Sequence, residues 1–509
     1  MTYRVVWFKR DLRLYDHAPL AAAVQAGPVL CLYVVEPGLW AQPDVSARQW
    51  GFVRESLLEL DRELRTRGGR LVVCVGEVVE VLVRLHARAP FVAVHAHEET
   101  GNDWTYGRDR AVAAWCRAHG VAWRQWPQFG VVRGLCERDG WQRRRDAFMA
   151  DAPVRVPTRI DPVGWSDGLA ALPGAYDLGL TDGDAPRRQR GGRRQGMAVL
   201  DGFLHERSQH YRGGISSPLS AASACSRLSP YLTYGCLGLR EVEQSTQAHL
   251  AVLPPQASSQ RLGLQGFRSR LAWHCHFIQK LESEPELEWR NLHRGYDGLR
   301  EGEWTSEHFE ALVQGCTGWP LVDACVAMLR ETGWLNFRMR AMLVSVAAYP
   351  LWLHWREVGL WLARQFVDYE PGIHWSQMQM QSGTTGINTT RVYNPVKQAR
   401  DQDPQGHFVR RWLPAMRRVP DAWLYEPWRM PADTQARCGV RVGVDIPLPV
   451  VDLDAALREA KARMHALRAR PEVQAGEADV VRRHASRAGR REQPARRRSA
   501  AELAQQSLF

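Results

Sequence analysis

Tyr3-Arg4-Val5-Val6-Trp7-Phe8 is a short apolar run that stops at Lys9-Arg10-Asp11-Leu12-Arg13. Similar runs recur at residues 29–35, 70–75 and 91–95, and helix-like stretches lie between them at 46–67 and 78–88. Apolar runs alternating with helices predict a parallel sheet flanked by helices, so residues 1–130 read as a Rossmann-like α/β domain. No G-x-G-x-x-G follows the first run, which argues against a conventional dinucleotide site there.

Outward from this domain the pattern changes. Residues 151–195 are rich in Pro, Gly, Asp and Arg, and with their flanks (131–199) they read as a surface connector whose basic stretch 187–194 is exposed. Between residues 196 and 428 apolar side chains recur at helical spacing, as in 267–281 and 321–329, which predicts an all-α domain over roughly 200–440. In 441–509 a helix is expected over 454–469, and beyond residue 470 the Arg, Ala and Gln content reads as a disordered basic tail.

The 509 residues allow two or more domains, and 21 of them are Trp. A formal net charge of +12 favours a polyanionic partner, nucleic acid before membrane surface, although residues 461–500 alone hold twelve Lys/Arg against four acids. Ten Cys stand singly with no C-x-x-C pair, which weakens zinc and iron–sulfur readings and suits a reducing cytoplasm. Charges at Arg4, Lys9, Arg10 and Asp11 interrupt any signal-peptide core, and no run of eighteen apolar residues predicts a membrane span. The expected setting is the cytoplasm, in association with the nucleoid.

Three segments carry chemistry. In Ser226-Arg227-Leu228-Ser229-Pro230-Tyr231, hydroxyls precede a Pro at the start of a helix, an arrangement that offers N–H groups to a diphosphate and equally describes a plain N-cap. In Thr332-Gly333-Trp334-Leu335-Asn336-Phe337-Arg338-Met339-Arg340 the two Arg point to different helix faces, one toward an internal carboxylate and one toward phosphate; Asp368 and Glu370 supply candidate partners. Asp403-Pro404-Gln405-Gly406-His407-Phe408-Val409-Arg410-Arg411-Trp412-Leu413-Pro414 reads as a turn and a basic, aromatic helix, which suits nucleic acid or a core with a solvated face.

Together with Trp7-Phe8-Lys9-Arg10-Asp11-Leu12-Arg13-Leu14, these segments resemble, in order, the motifs of the photolyase/cryptochrome family. The resemblance runs from residue 3 to about residue 420. It implies an α/β domain able to hold an antenna pigment, near residues 98–104, and a helical domain holding FAD. Carried over by position, the FAD contacts are Tyr211, Cys225, Ser226, Leu228, Ser229, Trp334, Arg340, Asp368, Glu370 and His374. Trp273, Trp334 and His374 are the side chains expected at the reaction. In repairing relatives, excited reduced FAD gives an electron to a pyrimidine dimer flipped out of the stack, and the electron returns after the dimer splits. Trp273 matches the family's dimer-stacking Trp, and Arg338 and Arg391 match basic positions on the phosphate side.

The departures from the family pattern are informative. Glu370 replaces Asp, Cys225 replaces Thr, and His374 replaces the Asn that faces flavin N5. Arg270 replaces Glu, Phe337 replaces Asn, Ala341 replaces Met, and Met380 replaces a second stacking Trp. In relatives the loop corresponding to 381–390 fills the hole that flipped bases leave in a duplex; here it is small and polar. The segment thereby resembles a short, divergent branch that favours single-stranded DNA, and without the paired His of (6-4) repair the expected lesion is a cyclobutane dimer. In the photoreduction relay, Trp355 and Trp304 match the middle and outer members. Met378 stands at the inner position, with Trp375 a helical turn earlier as a substitute. The terminal Gln505-Gln506-Ser507-Leu508-Phe509 resembles the bacterial sliding-clamp-binding peptide, with Gln505, Leu508 and Phe509 as contacts. The competing functions are a cryptochrome-type photoreceptor and a light-independent nucleotide-binding protein.

Overall fold

The computed structural model describes residues 2–163, 172–387 and 391–484. β1 (Tyr3–Phe8), β2 (Val29–Val35), β3 (Leu71–Val75), β4 (Phe91–His97) and β5 (Ala122–Trp126) form one sheet in the order β3-β2-β1-β4-β5, with every pair parallel. The α/β architecture expected from the alternation is present, and four of the strands fall on the four apolar runs. The fifth, Ala122-Trp123-Arg124-Gln125-Trp126, is half-exposed and mixed in polarity, and so carries no apolar run, unlike β3 at the opposite edge. β1 lies where the strand order reverses, and Val6 sits between Cys31 and His95. A crevice therefore opens beyond the C-terminal ends of β1 and β4, where open α/β sheets bind ligands.

Helix Ala47–Arg65 starts with a capping box between Ser46 and Gln49 and buries Trp50, Val53, Leu57, Leu60 and Leu64 along one face. The same helix reaches into the second domain. Arg48 Nη1 donates to the carbonyls of Leu329 and Gln365, and Gln49 Nε2 donates to those of Ala363 and Phe366. Opposite, the turn after β1 docks on the helical domain at Gly235. Its φ is +63°, and a Cβ there would lie 2.3 Å from the Arg10 carbonyl, so only glycine fits.

The second domain is helical. Its axis is the helix Ser258–Ser283, against which Pro371–Ser382 packs closely. A Cβ at Gly372 would lie 2.6 Å from the Ile278 Cα, so this glycine permits the approach. Pro320–Thr332, Phe337–Ala348 and Trp355–Gln365 complete a core that seals Trp319, Trp355 and Trp375 from solvent.

Two expectations need correction. The basic stretch 187–194 is not simply exposed, because it is stapled between the domains. The Arg188 guanidinium, 6% exposed, holds Glu55 at 2.9 Å and Asp184 at 2.7 Å, and Arg193 holds Glu241 at 2.6 Å. Beyond residue 470 the chain continues as a helix, Pro471–His484, anchored by buried Val473, Val480 and His484. Among the described residues no helix is long and apolar enough to cross a membrane.

Candidate functional site

The helix Phe337–Ala348 begins at Asn336, whose side chain donates to the carbonyls of Ile215 and Ser216 at 3.0 and 2.8 Å. This fixes the two arginines that follow. Arg340 turns inward: Nη2 donates to both carboxylate oxygens of Asp368, at 3.0 and 2.8 Å, and Nε to the Leu335 carbonyl at 2.8 Å. Arg338 points the other way, with only a long 3.4 Å contact to Gln398 Oε1 and no carboxylate partner among the described residues. The two-face arrangement expected from the spacing is thus the one observed.

His374 joins the Arg340–Asp368 pair. Its Nε2–H donates to the Gly359 carbonyl at 2.9 Å. Burial pushes its pKa down to about 4, the nearby Arg340 adds to the effect, and the Gly359 carbonyl and Asp368 oppose it. The imidazole is therefore neutral, with Nδ1 left as an acceptor. Glu370 lies on the same loop. Its Oε2 accepts from Arg10 Nη2 at 2.8 Å, and Oε1 is buried without a hydrogen-bond partner. Burial raises its pKa to about 7 despite the Arg10 cation.

The Ser226–Ser229 segment differs from the sequence expectation. The helix after it, Ser229–Thr233, is five residues long, its N-cap is Leu228, and no side chain caps it. The conspicuous group is Arg227. Its φ of +62° is a left-handed conformation that a non-glycine residue adopts at a cost. Gln189 Nε2 holds its carbonyl at 2.9 Å, and its guanidinium lies 3.7 Å from the centre of the Trp334 ring. Burial pulls its pKa down to about 10, partly offset by Asp368, and no carboxylate pairs with it among the described residues. Arg207 secures the same turn by donating to the carbonyls of Val199, Cys225 and Ser226. Cys225 is pushed up to about 11 by burial, and Leu228 is packed into the core shared with the α/β domain.

Tyr211 packs its ring against Phe203 and Phe267, and its hydroxyl bonds to Arg270. One turn along, Trp273 is half-buried and touches His276 and Phe277. Met380 and Arg391 are half-buried. Trp355 and Trp375 meet at 5.9 Å and 70°, and Trp375 contacts His374 at 4.9 Å. Trp355 Nε1 is anchored by Asn291 Oδ1 at 2.8 Å. Gly359 makes room for this cluster, since a Cβ there would lie 2.5 Å from the Trp375 ring. Trp304 is 38% exposed and rests on Phe309. Gln505, Leu508 and Phe509 lie outside the described residues.

The residues present fit a flavin dinucleotide. Arg227 is a largely buried cation lacking a counter-anion, beside Ser226 and Ser229, as a diphosphate requires. Glu370 Oε1 is an orphaned buried acceptor, suited to a ring or ribose donor. Arg10, Arg207 and Arg227 were not singled out by position in the sequence. Arg10 and Glu370 are 360 positions apart, and only the folded interface joins them.

A cavity of about 740 Å³, including its open mouth, lies in the crevice at the C-terminal ends of the strands. Trp7, Phe8, Tyr33, Trp40, Tyr234 and Tyr369 furnish aromatic walls. Gly101 and Asn102 line it too, so the 98–104 segment falls where the pigment was expected. Its cations are neutralised internally: Lys9 holds Asp109 at 2.8 Å, and Arg108 holds Glu99, Asp109 and Glu36 at 2.6, 2.9 and 3.1 Å. Beneath it Asp11 Oδ2 meets His97 Nδ1 at 2.7 Å and His17 Nε2 at 3.0 Å, a trio of potential metal ligands. His17 Nδ1 accepts the Leu20 N–H, however, which keeps the ring proton on Nε2, so His17 turns an N–H and not a free ligating nitrogen toward the carboxylate.

Comparison with known proteins agrees with this geometry. Residues 4–132 match the family model for DNA photolyase, and residues 267–466 match that for the FAD binding domain of DNA photolyase. The chain is 30% identical to a cryptochrome DASH of Gloeobacter violaceus over 90% of its own length and 95% of the relative's. It is 28% identical to a deoxyribodipyrimidine photo-lyase of Streptomyces griseus over 92% and 99%. The crystal structure of a bacterial class III photolyase from Agrobacterium tumefaciens superposes with a TM-score of 0.81 at 26% identity, covering 92% of this chain and 98% of that one. With an α/β domain, a helical FAD-binding domain and these matches along nearly the whole chain, the protein belongs to the photolyase/cryptochrome family.

Proposed function

We propose that this protein is a deoxyribodipyrimidine photolyase that repairs cyclobutane pyrimidine dimers under blue light, preferring single-stranded DNA. The observation that carries the reading is that the helix Phe337–Ala348 turns Arg340 onto Asp368 and leaves Arg338 without a carboxylate partner among the described residues, while Arg227 lies against Trp334 and likewise has none. FAD bound there in reduced form supplies the electron that light drives into the dimer. The chain's own groups prepare the site. Asp368 fixes Arg340, Gly359 fixes the His374 tautomer, and Trp273 offers a stacking face to a flipped base. Trp375 and Trp355 form an aromatic path inside the core for photoreduction. Substituting Trp375 by Phe is expected to slow light-driven flavin reduction while pre-reduced enzyme still repairs.

The single-strand preference is supported by the segment after the Pro371–Ser382 helix. Residues 381–385 are small or polar and buried, and His293 N–H donates to the Thr384 carbonyl. Such a segment makes a poor wedge for the gap that a flipped dimer leaves in a duplex. The aromatic cavity of the α/β domain suits a second, antenna chromophore. The terminal residues Gln505, Leu508 and Phe509 are proposed to engage a sliding clamp and bring the enzyme to the nucleoid; deleting the last five residues is expected to abolish clamp binding.

A photoreceptor without repair activity is the second reading, favoured by Arg270, whose bond to Tyr211 places a cation where repairing relatives carry Glu. A blue-light assay on dimer-containing oligonucleotides separates the two. Repair of single strands ahead of duplex supports the proposal, and a flavin that photoreduces without repair of either supports the photoreceptor.

A further inference from the structure

Phe337 is the first residue of its helix and is 44% exposed, although the residues on either side are held firmly. Asn336 is buried and bound to the Ile215 and Ser216 carbonyls, and Met339 is buried in the core. The ring is therefore displayed on a rigid backbone. Its neighbours are cationic. Arg338 follows it, Lys397 adjoins the Gln398 that Arg338 contacts, and Arg212 lies on the short helix leading to residues 215 and 216. None of these three cations forms an ion pair among the described residues. The same short helix carries Tyr211, which bonds Arg270 one turn before Trp273, so one short helix leads both to the Trp273 helix and to the carbonyls that hold Asn336.

An exposed, immobilised aromatic ring flanked by bare cations is how sequence-tolerant proteins hold single strands, with bases stacked on the ring and phosphates on the cations. We infer that Phe337 is a stacking platform for an undamaged base next to the lesion, making it a specificity determinant for single-stranded over duplex DNA. In a duplex that base is already stacked on its neighbours and unavailable to the ring. The inference rests on the proposed action on single-stranded DNA and adds a residue to it.

The test is binding of a fluorescent, lesion-free oligo-dT strand to the flavin-loaded protein in the dark, comparing wild type with F337A, F337L and F337W. The expected results are binding roughly 5- to 100-fold weaker for F337A, nearly as weak for F337L, and wild-type binding or better for F337W. Flavin content and melting temperature should stay unchanged throughout. Equal binding by wild type and F337A, full binding by F337L, or loss of flavin from F337A would each overturn the assignment and leave the proposed function standing. Wild-type protein that ignores oligo-dT yet repairs duplex dimers would overturn the single-strand reading itself.

Discussion

In the α/β cavity Arg108 touches Glu36, Glu99 and Asp109, whereas in the helical cleft Arg227 touches an indole ring and no carboxylate. Arg108 is buried and Arg227 half-buried, and both pack on a Trp, so aromatic contact does not distinguish them. Counter-charge does. The first cavity has neutralised itself and is furnished for a flat ligand that need not bring charge. The second leaves Arg227 without a contacting carboxylate among the described residues, which costs folding free energy unless an anion arrives.

Substitutions can break this contrast. The largest effect is expected from R108A, which leaves Glu36 buried without a cation and Glu99 and Asp109 with Lys9 alone; stability should fall by about 3–5 kcal/mol, measured by denaturant unfolding. R227Q should behave oppositely. The apoprotein should unfold within about 1 kcal/mol of wild type, while FAD affinity drops by roughly 10- to 100-fold for the loss of charge-assisted bonds, read by flavin titration. If R227Q destabilises the apoprotein as strongly as R108A does, the contrast fails.

A smaller effect sharpens the cleft's character. The folded pKa of His374, about 4, lies below the unfolded value of 6.5. Between those values the unfolded chain binds more protons, so this residue's contribution is complete above pH 6.5 and is lost as the pH falls toward 4. Wild type should therefore lose about 3 kcal/mol relative to H374N on acidification across that window, measured as unfolding midpoints at successive pH values. Parallel profiles for the two proteins would show that His374 is not held neutral by its surroundings.

The sequence exposes these features unevenly. The buried strands were legible because strands covered on both faces are continuous apolar runs, and β5 was not because its side chains are half-exposed and mixed in polarity. The helix Pro471–His484 escaped a compositional reading because its buried face amounts to Val473, Val480 and His484 amid polar residues. In the cleft, the opposite faces of Arg338 and Arg340 follow from helical spacing, as does the closeness of Trp375 to the Met378 position. Arg10 with Glu370 does not, because a contact across 360 positions has no local signature. The conformation of Arg227 was equally hidden. A positive φ at a non-glycine residue contradicts local preference, and local preference is all that a sequence displays.

Titrating flavin-free protein with FAD tests the account most directly. The expected result is a coloured, stoichiometric complex whose formation R227Q weakens and R108-side substitutions that keep the fold do not. Protein that remains colourless in excess FAD, or binds it equally well without the Arg227 cation, would contradict it.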